Sequence, residues 1–226
     1  QDVNHIKKEL RMVPGDELIV CNGQGKDYHC KIDKITEVCI EVHIESMGDT
    51  DTELKTKITL FQGIPKKDKM ELIIEKAIEL GVYQIIPVVT ERTIVRINDK
   101  KKEEKKLLRW NKIAESAAKQ SRRGIIPKVA PIIPYEEAIK RANIMELSII
   151  PYEKCVGIGK TKEIMNDLKA ISSIGIFIGP EGGFEEKEIS LAKANKVIPI
   201  SLGKRILRAE TASLTVLSMM MLALED

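Results

Sequence analysis

From Lys57 onward, the apolar runs KITLFQGI, YQIIPVV, ELSIIPY, SIGIFIG and KVIPISLG alternate with helix-like patterns such as DKMELIIEKAIELG. Nearly continuous apolar strands separated by amphipathic helices require a sheet covered on both faces, which is the condition for parallel strands joined by helical crossovers. The pattern predicts a parallel α/β sheet. In the first helix of the series, Met70, Ile73, Ile74 and Ala77 fall on one face at the 3.6 period. Asp68 followed by Glu71 reads as a capping box, and Gly81 ends the helix.

The N-terminal part has a different rhythm. ELIVC, YHCKID and VCIEVHI, between Glu17 and Ile44, read as short alternating strands broken by the turn-rich tip NGQGKD, while Ser46 to Lys55 loses the hydrophobic period and reads as a linker. The expected division is residues 1–55 for a small β unit and 56–226 for the α/β domain. With 226 residues and 43% apolar content, the chain can bury a real core. The longest apolar stretch, Leu214 to Leu224, is interrupted by Thr215 and Ser218 and falls short of a membrane span, so a soluble protein is expected, and a chain too large to need disulfide staples fits a reducing, cytoplasmic setting. Cys21, Cys30, Cys39 and Cys155 form no CxxC pair, and His5, His29 and His43 stand at no ligand spacing, so no metal is expected. A net charge of +3 does not by itself imply a nucleic-acid partner, which leaves local clustering to decide.

Two loops carry that clustering. FIGPEGGFEEKEI, Phe177 to Ile189, puts glycines between a strand and a helix, a common phosphate-binding arrangement. Glu181 inside the loop and Glu185, Glu186 and Glu188 behind it argue against an anion and favour a ligand without phosphate. SLGKRILRAETAS, Ser201 to Ser213, is basic instead: Lys204, Arg205 and Arg208 follow a strand, where α/β proteins place their ligands. A helix near Glu104 to Arg123 adds a cationic row of Arg109, Lys112, Lys119 and Arg123, with Arg122 beside it. This row is either a solvated face or a phosphate contact. A cationic small molecule and an anionic polymer together suggest S-adenosylmethionine and RNA.

IGPEGGFEEKEI and SLGKRILRAETAS resemble the two signature segments of the RsmE family, SPOUT-class methyltransferases of small-subunit ribosomal RNA. LRMVPGDEL, QGIPKKDKMELIIEKAIELGV, TERTIVR and RWNKIAESAAKQSRRGIIP extend the resemblance over nearly the whole chain. It implies a PUA-like β-barrel followed by a SPOUT parallel sheet with a C-terminal deep trefoil knot, and a homodimer that methylates uridine N3 in 16S rRNA or the 30S subunit. The family has a further strand ahead of HIKKELRM, so the first barrel strand is expected to lie outside this sequence. Carried over by residue, the cofactor would sit among Pro151, Tyr152, Ile178, Gly179, Pro180, Gly182, Gly183, Leu202, Gly203, Ile206 and Leu207. Arg208 would stabilise the uracil anion, and Glu181 would either accept the N3 proton or cap loop N–H groups. Arg11, Arg109, Lys112, Lys119, Arg122, Arg123, Lys204 and Arg205 would meet RNA. The apolar helix Thr211 to Leu224 would need burial on more than one side, by its own domain or by a second subunit. Another SPOUT enzyme acting on ribose 2′-oxygen or tRNA, and a non-catalytic RNA-binding protein, are the alternatives. A Rossmann enzyme would need the GxGxxG that is missing.

Overall fold

The structure, a computed structural model, describes residues 2–94 and 99–225. It divides into two units: Gln1–Glu53 with Arg122–Ile126, and Leu54–Ser121 with Pro127–Asp226. In the first, a short helix α1 (Asp2–Asn4) runs into a π-helical turn (His5–Glu9) and then a meander of β1 (Glu17–Cys21), β2 (Lys26–Ile35) and β3 (Ile40–Asp49). Both ladders are antiparallel. At the NGQGKD tip, Asn22 Oδ1 accepts from the backbone N–H groups of Gln24 (2.8 Å) and Lys26 (3.2 Å), while Gly23 and Gly25 take positive φ.

Two expectations need correction here. Ser46 to Asp49 are not linker but the end of β3, because the ten-residue β2 offers them partners: Lys26, Asp27, Tyr28 and His29 pair Asp49, Gly48, Met47 and Ser46. The second concerns Arg122–Ile126, which belongs with this unit although the sequence attaches it to the preceding helix. Gly25 N donates to Gly124 O at 2.8 Å, and a Cβ on Gly124 would lie 2.1 Å from Thr50 Cγ2, so only glycine lets the segment approach.

The second unit contains β4 (Lys57–Gly63), α2 (Lys69–Glu79), β5 (Gln84–Val89), α3 (Lys100–Gln120), β6 (Lys128–Val129), β7 (Ile133–Pro134) and α4 (Tyr135–Ala142). There follow β8 (Leu147–Pro151), α5 (Gly159–Asn166), a 3-10 turn (Leu168–Ala170), β9 (Ser173–Ile178), α6 (Glu186–Ala194), β10 (Ile198–Ile200) and α7 (Ala209–Leu224). The strands form one parallel sheet in the order β10-β8-β9-β4-β5-β6, with β7 also on β5. Period-2 alternation sorts side chains between two cores. Ile58, Leu60, Ile174 and Ile176 face α2, α3 and α7, whereas Phe61 and Phe177, stacked at 4.5 Å across the β4–β9 ladder, join Tyr135 and Phe184 on the other side. Replacing either stacked ring by alanine would cost about 3–5 kcal/mol.

In α2 the expected stripe is buried and Gly81 follows its end with φ +85°. The capping box is not formed: Asp68 makes no side-chain cap among the described residues, and Glu71 instead pairs with Arg109 at 2.7 Å. In α7 one stripe, Ser213, Val216, Leu217 and Met220, is buried within the unit, while Leu222 remains 79% exposed. Among the described residues no helix is long and apolar enough to cross a membrane.

Candidate active site

The strand order sets the carboxyl ends of β8, β9 and β10 side by side, where the order of an open parallel sheet changes direction and ligands collect. A cavity of about 230 Å³ opens there. Its wall includes every residue expected at the cofactor, from Pro151 and Tyr152, through Ile178 to Gly183, to Leu202, Gly203, Ile206 and Leu207. Glu153, Phe184, Ser201, Arg205, Ala209 and Ala212 complete it.

The glycine loop is a tight turn pressed on the sheet. Gly183 N donates to Pro180 O at 2.9 Å with Gly183 at φ +68°, and a Cβ on Gly63 would stand 2.6 Å from Pro180 Cδ. A Cβ on Gly182 would stand 3.1 Å from Arg92 Cβ, so a side chain there would have to push Arg92 aside. The acids behind the loop have local employment. Glu185 caps α6 and Glu188 closes a true capping box; its buried carboxylate accepts from Glu185 N (2.8 Å) and Glu91 N (3.0 Å). These carboxylates crowd the α6 N-terminus and disfavour phosphate there. Arg92 completes the clamp by donating to Glu185 (2.8 Å) and to Gly182 O (2.5 Å). The Arg92 hydrogen bond outweighs desolvation and holds the Glu185 carboxyl below its ordinary value, and the Lys154 ammonium does the same to Glu186.

Glu181 is read from sequence as a proton acceptor or a cap, and the structure gives it a loop N–H to cap. Its carboxylate accepts from Lys66 N at 3.1 and 3.2 Å and faces the Lys69 ammonium at 3.3 Å. Burial pushes its pKa up, but its own N–H, that of Lys66 and the Lys69 ammonium outweigh this and leave it lowered, which makes it a poor base. The basic loop is held more sparsely: Thr161 Oγ1 donates to Ser201 O at 2.8 Å, and Gly203 sits at φ +114°. Lys204, Arg205, Ile206 and Arg208 are exposed, Ile206 at 88%. Arg208 precedes the first turn of α7, its carbonyl accepting from Ala212 N, and stands beside the cavity wall that Arg205 and Leu207 line.

The expected RNA contacts scatter. Arg11 is exposed in the N-terminal unit, at positive φ. Arg109 and Lys119 pair with Glu71 and Glu115, and Lys112 is exposed on the same helix, so the single-sign row is neutralised by acids outside it. Arg122 is exposed. Arg123 is 7% exposed, and its guanidinium is bonded to Glu53, whose carboxylate also receives Ile125 N, which leaves it poorly placed to meet RNA. Sequence reasoning missed Arg92, Lys69 and Thr161. Arg92 lies in TERTIVR, which carried a resemblance but no chemistry; Val95 and Arg96 of that stretch lie outside the described residues.

A parallel sheet with a loop-walled cavity at the ends of β8, β9 and β10 defines an α/β domain with a ligand site at its strand ends. Residues 52–221 match the family model described as an RNA methyltransferase domain, and residues 1–42 match an RNA methyltransferase PUA domain. The chain is 34% identical over 221 residues to the Bacillus subtilis ribosomal RNA small subunit methyltransferase E, covering 96% of this chain and 86% of the relative. It is 31% identical to the Aquifex aeolicus protein of the same name, covering 97% of this chain and 91% of that one. The structure of the Neisseria gonorrhoeae ribosomal RNA small subunit methyltransferase E bound to S-adenosylmethionine superposes with a TM-score of 0.80 at 33% identity, covering 97% of this chain and 87% of that one. The chain belongs to the ribosomal RNA small subunit methyltransferase E family.

Proposed function

We propose that this protein methylates N3 of a uridine in 16S ribosomal RNA, using S-adenosylmethionine held in the cavity at the ends of β8, β9 and β10. The observation that carries the reading is the pairing of a glycine-walled, phosphate-averse cavity with a cationic loop on its rim, in a chain whose relatives are named for ribosomal RNA methylation and one of which is bound to S-adenosylmethionine. The cavity suits an adenosine-like, positively charged molecule. Gly179, Gly182 and Gly183 let the backbone approach it, and the Glu153 carboxylate lies within 3.6 Å of where a Cβ on Gly183 would be. When bound, S-adenosylmethionine supplies an electrophilic methyl group.

The protein's own residues have the proton to manage. Removing a proton whose pKa lies two to three units above neutral costs about 3–4 kcal/mol. Arg208, exposed at the rim, supplies a fixed cation for the uracil oxygen on which that charge develops, as a donor does in an oxyanion hole. Glu181 keeps the glycine loop on the sheet and leaves the proton to solvent or RNA. Lys204 and Arg205 extend the cationic rim toward the phosphate backbone, with Arg11, Lys112 and Arg122 as further exposed contacts. A homodimer covering the exposed Leu222 side of α7, and a trefoil knot through which the C-terminal segment threads, complete the reading. Both rest on membership of the ribosomal RNA small subunit methyltransferase E family.

Incubation with methyl-labelled S-adenosylmethionine and 30S particles or free 16S rRNA, followed by digestion to nucleosides and mass spectrometry, tests it. Labelled 3-methyluridine is expected. A label on ribose, or on tRNA instead of 16S rRNA, would replace it with another SPOUT activity.

A further inference from the structure

The connection from β4 to α2, Gln62 to Lys69, touches both loops of the site. Its start reaches α7: Ser213 Oγ donates to Gln62 Oε1 at 2.7 Å, both groups fully buried, and Gln62 Nε2 donates on to Gly63 O at 2.9 Å. Its middle holds the glycine loop, through the Lys66 N–H on Glu181 and the Gly63–Pro180 approach. At its end Lys69 joins the two. Its Nζ lies 3.3 Å from Glu181 Oε1 on the glycine loop and 3.2 Å from Glu210 Oε2, two residues beyond Arg208.

Three features single out this lysine. It is the first residue of α2, where the helix dipole disfavours a cation, so helix formation does not explain it. Glu210 Oε2 is buried with no hydrogen-bond partner among the described residues, leaving the Lys69 ion pair to balance it. The three side chains are partly buried, Lys69 29%, Glu181 28% and Glu210 16% exposed, so the ammonium is held between two carboxylates with little freedom to move. Its effect is geometric, because one ammonium fixes the glycine loop relative to the helix that Arg208 begins.

We propose that Lys69 is a positioning residue that couples cofactor occupancy of the glycine loop to the placement of Arg208. This rests on the methyltransferase reading above. Because Lys69 ties the pinned Glu181 loop to Glu210, a cofactor that closes the basic loop over this seat would also hold the first turn of α7, so cofactor and RNA should each tighten the other's binding.

The test uses Lys69→Met, Lys69→Arg and Glu210→Gln in the full chain. It measures kcat and KM for S-adenosylmethionine, together with 16S rRNA affinity with and without S-adenosylhomocysteine. The wild type should bind rRNA more tightly with S-adenosylhomocysteine present. Lys69→Met should lower kcat about tenfold and remove that enhancement, with cofactor KM moving by less than about threefold. Lys69→Arg, which keeps the charge, should recover most of both; a merely structural lysine would move neither the coupling nor the kcat-to-KM split. Should Lys69→Met fail to fold, Glu210→Gln carries the same expectation from the other end of the pair. Wild-type kcat and coupling in the folded variants, or no coupling in an active wild type, would overturn the inference. A wild type that neither binds S-adenosylmethionine nor methylates rRNA would instead overturn the reading beneath it.

Discussion

The glycine loop and the basic loop wall one cavity but are anchored in opposite ways. Ile178 to Gly183 is pinned from below by Gly63, from one side by Glu181 on Lys66 and Lys69, and from the other by Arg92 and the Glu185–Glu188 box. Ser201 to Arg208 is tied mainly at its base, through Ser201 and Thr161, and leaves Lys204, Arg205, Ile206 and Arg208 in solvent. The difference separates two tasks. A site that reads a ligand by backbone must be built before the ligand arrives, whereas a loop that meets RNA and closes over a cofactor gains its order on binding.

Arg208→Ala attacks the open loop at its chemical residue and should show the largest effect. Methylation should fall about 10²–10³-fold, the range for removing one fixed donor to a developing anion. Calorimetric affinity for S-adenosylmethionine should barely change; a parallel loss would make Arg208 a cofactor ligand. Gly182→Val attacks the pinned loop. Its branched side chain meets Arg92 at 3.1–3.2 Å, so overpacking of about 1–3 kcal/mol should appear as roughly tenfold or weaker cofactor binding. Unchanged binding would take this turn out of the site.

Ile206→Ser sharpens the contrast. An isoleucine 88% exposed contributes little to the fold, so stability should stay within about 0.5 kcal/mol. Cofactor KM should nonetheless rise several-fold if the side chain is buried on binding, and an unchanged KM would leave it a bystander. The smallest effect is that of pH on the pinned loop. Glu181 has its pKa lowered in the folded state, so its contribution is complete above the ordinary value of 4.5 and is lost as pH falls below it. Unfolding stability measured down to about pH 4 should therefore begin to fall in the wild type and follow a flatter profile in Glu181→Gln.

The residues that wall the cavity were reached through the resemblance of the two signature segments, not through local pattern, although glycine and proline at a strand end marked the loop as a place for a ligand. Local periodicity located the parallel strands and the stripe of α2. Partners far apart in the chain were not legible. Arg123 looked like the end of a cationic row until Glu53 met it, and Glu71 looked like half of a capping box until Arg109 did. Lys69 stands in a lysine-rich turn that reads as solvated surface; only the sheet order brings Glu181 and Glu210 to it. Side-chain charges are interchangeable in sequence and become specific only when topology assigns their neighbours.

Hydrogen–deuterium exchange across the two loops, with and without S-adenosylmethionine, tests the account most directly. In the free protein, amides of the 178–183 turn should already exchange slowly and those of 202–207 quickly. Cofactor should slow the second group far more than the first. Equal exchange in the free protein, or protection that falls outside both loops, would contradict the division between a preformed seat and an open rim.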